Sequence, residues 1–182
     1  MKFLTICAAT IVLAIAALGA ACSVIGLDGG GTLSLDEYFQ QLDAIQNEND
    51  ATFATQEASA EEPSEDASGE ELASFLRDSF TQSADTLHDS GSKAADLEAP
   101  DEAADLHDDV VAAINAGADA LDEVADSIPD TLTLEELENS GDTLFGDEAV
   151  NAAFEDLAVA CNALEDLAAE NDITVDLACD DI

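Results

Sequence analysis

The chain is predicted to be all-α: a four-helix bundle with a short extra helix and an extended C-terminal tail. Three observations predict it. Apolar residues recur in steps of three and four along four long stretches, the spacing of a buried helix face. Serine or threonine stands three residues ahead of glutamate at the head of three helical stretches, the arrangement of a capping box. No stretch carries a convincing strand pattern, and the β-branched run Ile173-Thr174-Val175 is too short to alter the class.

The longest stripe organises the rest. Across residues 100–129 it comprises Ala103, Leu106, Val110, Ala113/Ile114, Gly117, Leu121, Val124 and Ile128. Pro100 suits a first helical position, and Asp101, Glu102 and Asp105 suit the positive end of the helix dipole. Pro129 disfavours helix at Ile128 and ends the run. At about 1.5 Å per residue this helix is roughly 40 Å long and must bury its stripe against others.

The remaining helices follow in order. Ser34 and Glu37 cap a first helix whose stripe is Leu35, Tyr38, Leu42, Ile45 and Phe53, with Leu33 placed to staple onto Tyr38. The acidic stretch 56–69, with Pro63 and no large apolar residue, reads as a loop or frayed end. Ser68 and Glu71 cap a second helix carrying Leu72, Phe75/Leu76, Phe80, Ser83 and Leu87; Gly91 predicts a kink or early end. A short link at 97–100 makes this helix and the central one antiparallel neighbours. Thr133 and Glu136 cap the brief extra helix, around 134–137, and Leu144 and Phe145 are available to plug a bundle end. The last helix runs from about Glu148 to Glu170 with Val150, Phe154, Leu157, Cys161, Leu164 and Ala168 on one face.

Forty-three acidic residues stand against three basic ones, Lys2, Arg77 and Lys93, a formal net charge of −40. Such a field excludes nucleic acid and anionic lipid as partners and draws cations diffusely. Residues 1–21 read as a signal peptide, with Lys2, an apolar run and the small residues Gly19, Ala20 and Ala21 before Cys22. The end of this leader resembles a lipobox, which implies acylation of Cys22 and a membrane anchor. Leu18, however, lies four residues before Cys22, where the pattern places its aliphatic residue three before. Cleavage by ordinary signal peptidase would leave a secreted protein, and the apolar run is short for an uncleaved anchor. Residues 22–32, with Gly29-Gly30-Gly31, form a flexible tether, and 33–182 the bundle domain.

Three segments together resemble a group of small exported, lipid-anchored helical proteins of bacteria. They are Leu33-Ser34-Leu35-Asp36-Glu37-Tyr38-Phe39; Ala99-Pro100-x-Glu102 with His107; and Ala160-Cys161 with Val175-Asp176-Leu177-Ala178-Cys179. The resemblance implies an exported location on the outer face of the cytoplasmic membrane and a helical fold, and it transfers no catalytic residue.

Cys7 leaves with the leader and Cys22 is the acylation site, so Cys161 and Cys179 remain as a disulfide pair in an oxidising compartment. Helix to Glu170 advances about 15 Å and nine extended residues span about 30 Å, so the tail can fold back. His88 and His107, the only histidines, lie at comparable distances from the turn near Ala99 and could share one level of the hairpin. Asp85-x-x-His88 has the spacing of carboxylate-bridged metal bundles, but Ala104 stands three before His107 where an acid is required, so both histidines read as cap or surface residues. Asp28-Gly29-Gly30-Gly31-Thr32 lacks the acids of a calcium loop, and no phosphate loop or nucleophile elbow occurs. The expectation is therefore a non-catalytic acidic lipoprotein with no cofactor or metal, engaging an unknown protein partner. The rival expectation is a low-affinity divalent-cation-binding protein.

Overall fold

A computed structural model describes residues 33–60, 63–64, 66–133, 136–137 and 148–179. Among them are four helices and no strand: α1 Leu35–Ser59, α2 Gly69–Ala95, α3 Ala104–Ser127 and α4 Glu148–Glu170. They pack as a bundle in which α3 lies against both α2 and α4, and α1 lies against α2. None of the described helices is long and apolar enough to cross a membrane. The expected leader and tether with Cys22, residues 134–135 and 138–140, and Leu144 and Phe145 lie outside the described residues. The cap expected for the extra helix is nevertheless made: Glu136 N–H donates to Thr133 Oγ1 at 3.1 Å, and Thr133 N–H donates to Glu136 Oε2 at 2.9 Å.

Both long-helix capping boxes form as their spacing requires. Glu37 N–H donates to Ser34 Oγ at 3.3 Å, and Glu37 Oε2 accepts from Ser34 N–H at 3.1 Å. Ser68 and Glu71 repeat the exchange at 3.3 and 2.7 Å. Each box satisfies donors that the first helical turn leaves orphaned.

The stripes meet in two apolar clusters. One gathers Tyr38, Phe39 and Leu42 of α1, Ala103 and Val110 at the start of α3, Ala160, Cys161, Leu164 and Ala168 of α4, and Leu177 and Cys179 of the tail. Leu33 packs against it, as the staple requires. The other gathers Ala73, Phe80, Ala84 and Leu87 of α2 with Ala118, Leu121, Val124, Ala125 and Ile128. Ile114 touches both and joins them.

Two expectations are corrected. First, α2 continues through Gly91 to Ala95. A β-carbon there would come within 2.8 Å of Asn115 Oδ1 and 3.2 Å of Ile114 Cγ2, so the glycine allows α2 and α3 to approach closely. Secondly, α3 begins at Ala104, not Pro100. Residues 100–103 form a turn closed by Ala103 N–H to Pro100 O at 2.9 Å, and burial of Pro100 and Ala103 prevails over the proline's aptitude for a first helical turn. The acidic stretch takes up a helix end: α1 runs four residues into it, to Ser59, where the Gln56 side chain donates to Thr86 Oγ1 of α2 at 2.9 Å.

Helix ends are handled by different chemistry. Ile128 leaves the helix with φ −67° and ψ 122°, the extended conformation that Pro129 imposes on its predecessor. At the end of α4, Ile173 N–H donates to Ala168 O at 2.9 Å and Asp172 N–H to Ala169 O at 3.2 Å. This is a Schellman motif with Asp172, at φ 58°, in the left-handed position usually given to glycine. The tail then returns along α4, and a disulfide joins Cys161 to Cys179 with their Cα atoms 5.5 Å apart.

Candidate functional site

The chemistry-bearing side chains fall into three places: an inter-helix histidine on the surface, a buried histidine, and an acid-rimmed cleft. His88 is half-buried on α2. Its Nε2 lies 3.2 Å from Asp122 Oδ2 and 3.8 Å from Asp119 Oδ1, both on α3. Asp85, its expected neighbour in a metal motif, is exposed.

His107 is held at the first turn of α3, where its N–H donates to Ala103 O at 2.8 Å. The residue is only 7% exposed, and its ring meets Tyr38 of α1, which is wholly buried. The Tyr38 hydroxyl lies 3.1 Å from His107 Nδ1, and the two rings stack edge to face with centroids 5.7 Å apart. Burial pushes the imidazole below its ordinary value, partly countered by the carboxylate of Asp108. Burial also pushes the Tyr38 phenol up, so it stays neutral.

The two histidines do not share a level. His88 stands opposite Asp119 and Asp122, twelve or more residues and hence about 20 Å along α3 from His107. The hairpin pivots later than a turn centred on Ala99 would have it, because residues 100–103 belong to the turn. The expectation of a cap or surface residue is corrected for His107, which is buried against Tyr38; the signal was its spacing, four residues after Ala103 and three before Val110, which places it on the buried stripe.

Both basic residues of the bundle serve the fold. Arg77 of α2 donates to Ile128 O at 3.0 Å and Pro129 O at 3.2 Å, capping the end of α3 from outside that helix. Lys93 bridges Glu48 of α1 at 3.0 Å and Asp89 of its own helix at 2.7 Å.

Clefts at two places on the described surface involve α1. One, of about 270 Å³, lies between the end of α1 and the first half of α2 and is lined by Gln56, Ser59, Phe75, Asp78, Ser79 and Gln82. The other, of about 250 Å³, lies between α1 and the tail, with Asp36, Asp43 and Asp176 among Phe39, Gln40, Ile173, Thr174 and Val175. Neither is lined by a histidine or cysteine. Among the described residues, no group of three or more His, Cys, Asp or Glu side chains is arranged to hold a metal ion. What these surfaces offer is carboxylate oxygens facing water, which attract cations and basic groups. Comparisons with family models, with curated proteins and with solved structures find no match.

Proposed function

We propose that the protein is a membrane-tethered, non-catalytic acidic helical lipoprotein of the cell envelope, acting as an interaction or structural module. The observation that carries this reading is the disposition of charge. Arg77 and Lys93 are engaged in holding helices together, while carboxylates occupy the outer faces of all four helices. Asp36 and Glu57 on α1, Asp78 and Asp85 on α2, Asp109 and Glu123 on α3, and Asp156 and Asp166 on α4 are all exposed. A surface of one sign steers basic protein partners and rejects nucleic acid. The Cys161–Cys179 disulfide supports an oxidising, exported location. The anchor at Cys22 rests on the leader's lipobox-like end.

A second reading, low-affinity binding of divalent cations, draws support from the α1–tail cleft, where three aspartates line one opening. Calorimetry with calcium, zinc and iron separates the two. Saturable, stoichiometric heat favours the second reading; weak heat abolished by sodium chloride favours the first. Incorporation of labelled fatty acid into the wild type, lost in Cys22→Ala, is the expected result for the anchor. Equal labelling, or none in either, leaves a secreted protein.

A further inference from the structure

Tyr38 and His107 are titratable side chains that the fold removes from water, and they are bonded to each other. Their position matters because of how α1 is held. The buried residues of α1 are Tyr38, Phe39 and Leu42, all near its start. Beyond them α1 is fastened by Phe53, only partly buried against the second apolar cluster, and by side-chain contacts to α2: Ser90 to Asn49 at 3.0 Å, Gln56 to Thr86 at 2.9 Å and Lys93 to Glu48 at 3.0 Å. Partly exposed contacts of this kind contribute little individually, since water competes for the same groups. The grip of the bundle on α1 is therefore concentrated where Tyr38 meets His107.

We propose that the Tyr38–His107 pair is a proton-operated latch: with a neutral imidazole it fastens the start of α1 to the start of α3, and with a protonated one it loosens α1 from the bundle. In the neutral state one proton lies between the phenol and Nδ1, and no charge is buried. Protonation leaves both ring nitrogens as donors, so the phenol must turn its own proton away and accept instead. The resulting cation sits on the α3 face that carries Ala103 and Val110, both within the apolar cluster. Burying such a charge without a full set of partners is costly.

The surrounding groups do little to relieve that cost. From α1 the imidazole meets Tyr38, which burial keeps neutral. From its own helix Asp108 favours the cation but does not outweigh burial. α4 and the tail bring Leu164 and the Cys161–Cys179 disulfide to this cluster, with Glu165 bonded to Leu177 N–H at 2.8 Å. Glu98, Asp101 and Glu102 of the α2–α3 connection are exposed. A base whose folded value lies below its unfolded value contributes fully above about pH 6.5. That contribution is lost as pH falls from there through the folded value. Surface carboxylates in general act the other way, because partial protonation in mild acid relieves their mutual repulsion; Glu37, which caps the start of α1, is held below the usual range by Ser34 and stays ionised at pH 5. Loosening confined to α1 is thus the mark of the latch.

Hydrogen exchange of the full chain at pH 7 and pH 5, corrected for intrinsic rates, tests this. The expected result is a several-fold loss of protection in α1 at pH 5, with α2 and α3 unchanged. In His107→Gln, which keeps an acceptor for Tyr38 but does not titrate, α1 should be equally protected at both values. Unchanged α1 protection in the wild type, or the same acid loss in His107→Gln, overturns the latch. If that variant does not fold, proton NMR of the wild type decides. His107 titrating in step with the α1 resonances sustains the proposal. His107 titrating while the α1 resonances stay unmoved overturns it.

Discussion

A handful of single positions decide how closely these helices can approach and how they end. Gly91 is the clearest. Alanine there would gain about 1 kcal/mol of helix propensity. Its β-carbon, however, would enter the space between Asn115 and Ile114, where overpacking costs about 1–3 kcal/mol. Gly91→Ala should therefore lower stability by about 1 kcal/mol in urea unfolding; a stabilised variant would mean that the α2–α3 interface yields freely. Asp172 predicts the opposite sign. It occupies a left-handed conformation that disfavours residues bearing a β-carbon, and its carboxylate lies at the negative end of the α4 dipole. Asp172→Gly should raise stability by about 0.5–1 kcal/mol, after allowing for glycine's freer unfolded chain. These features differ in legibility. Gly91 was visible as a helix weakener but not as a spacer, because a close approach depends on which residue of another helix lies opposite. His107 was legible as a stripe residue through its spacing from Ala103 and Val110, whereas its partner Tyr38, 69 positions away in sequence, was not.

At the level of elements, local signals fared best where the deciding contacts are themselves local. Capping boxes need only four consecutive residues, so the starts of α1 and α2 at Leu35 and Gly69 could be read directly. Ser68→Ala should cost about 1 kcal/mol by removing the acceptor for Glu71 N–H. The hydrogen bonds from Ser68 hold the Glu71 carboxyl below its usual range. The stability it contributes is thus present above the ordinary carboxylate range and lost as pH falls through the depressed folded value. Melts of wild type and Glu71→Gln should accordingly converge in acid; a constant gap would show that the ionised carboxylate is immaterial. The start of α3 was misread for the complementary reason. A proline and three acids announced a first turn at Pro100, but docking of that segment in the core prevailed. The tail was readable through its cysteines alone. Non-reducing mass spectrometry should find one link between the Cys161 and Cys179 peptides, and its removal in Cys161→Ser should cost about 3 kcal/mol. Two free thiols in material from an oxidising compartment would contradict it.

Across the whole molecule the governing quantity is charge, and the structure refines which acids matter. Asp122, Glu123 and Asp126 lie near the negative end of α3, and Glu165, Asp166 and Glu170 near that of α4. Each acid so placed costs about 0.3–1 kcal/mol at low ionic strength. Neither helix has a lysine or arginine in its last turn, from which the sequence suggests no relief at all. The fold supplies some from elsewhere. Arg77 reaches across from α2 to the terminal carbonyls of α3, His88 faces Asp122, and Glu165 accepts the Leu177 amide. For α4 the relief comes from backbone amides alone, Leu177 to Glu165 and Ile173 to Ala168 O, with no cation among them, so the strain should be greater at its end than at the end of α3. Salt screens repulsion of this kind, the Debye length falling from about 30 Å at 0.01 M to about 3 Å at 1 M. Circular-dichroism melts at pH 7 should therefore shift upward between dilute buffer and molar sodium chloride. Glu170→Gln should remove more of that shift than Asp126→Asn, because Arg77 already serves the α3 terminus. Equal effects would show that the trans cap does not offset the dipole. A melting temperature independent of salt would show that the acids are spaced too widely to repel, and the cation-attracting surface would lose its physical basis.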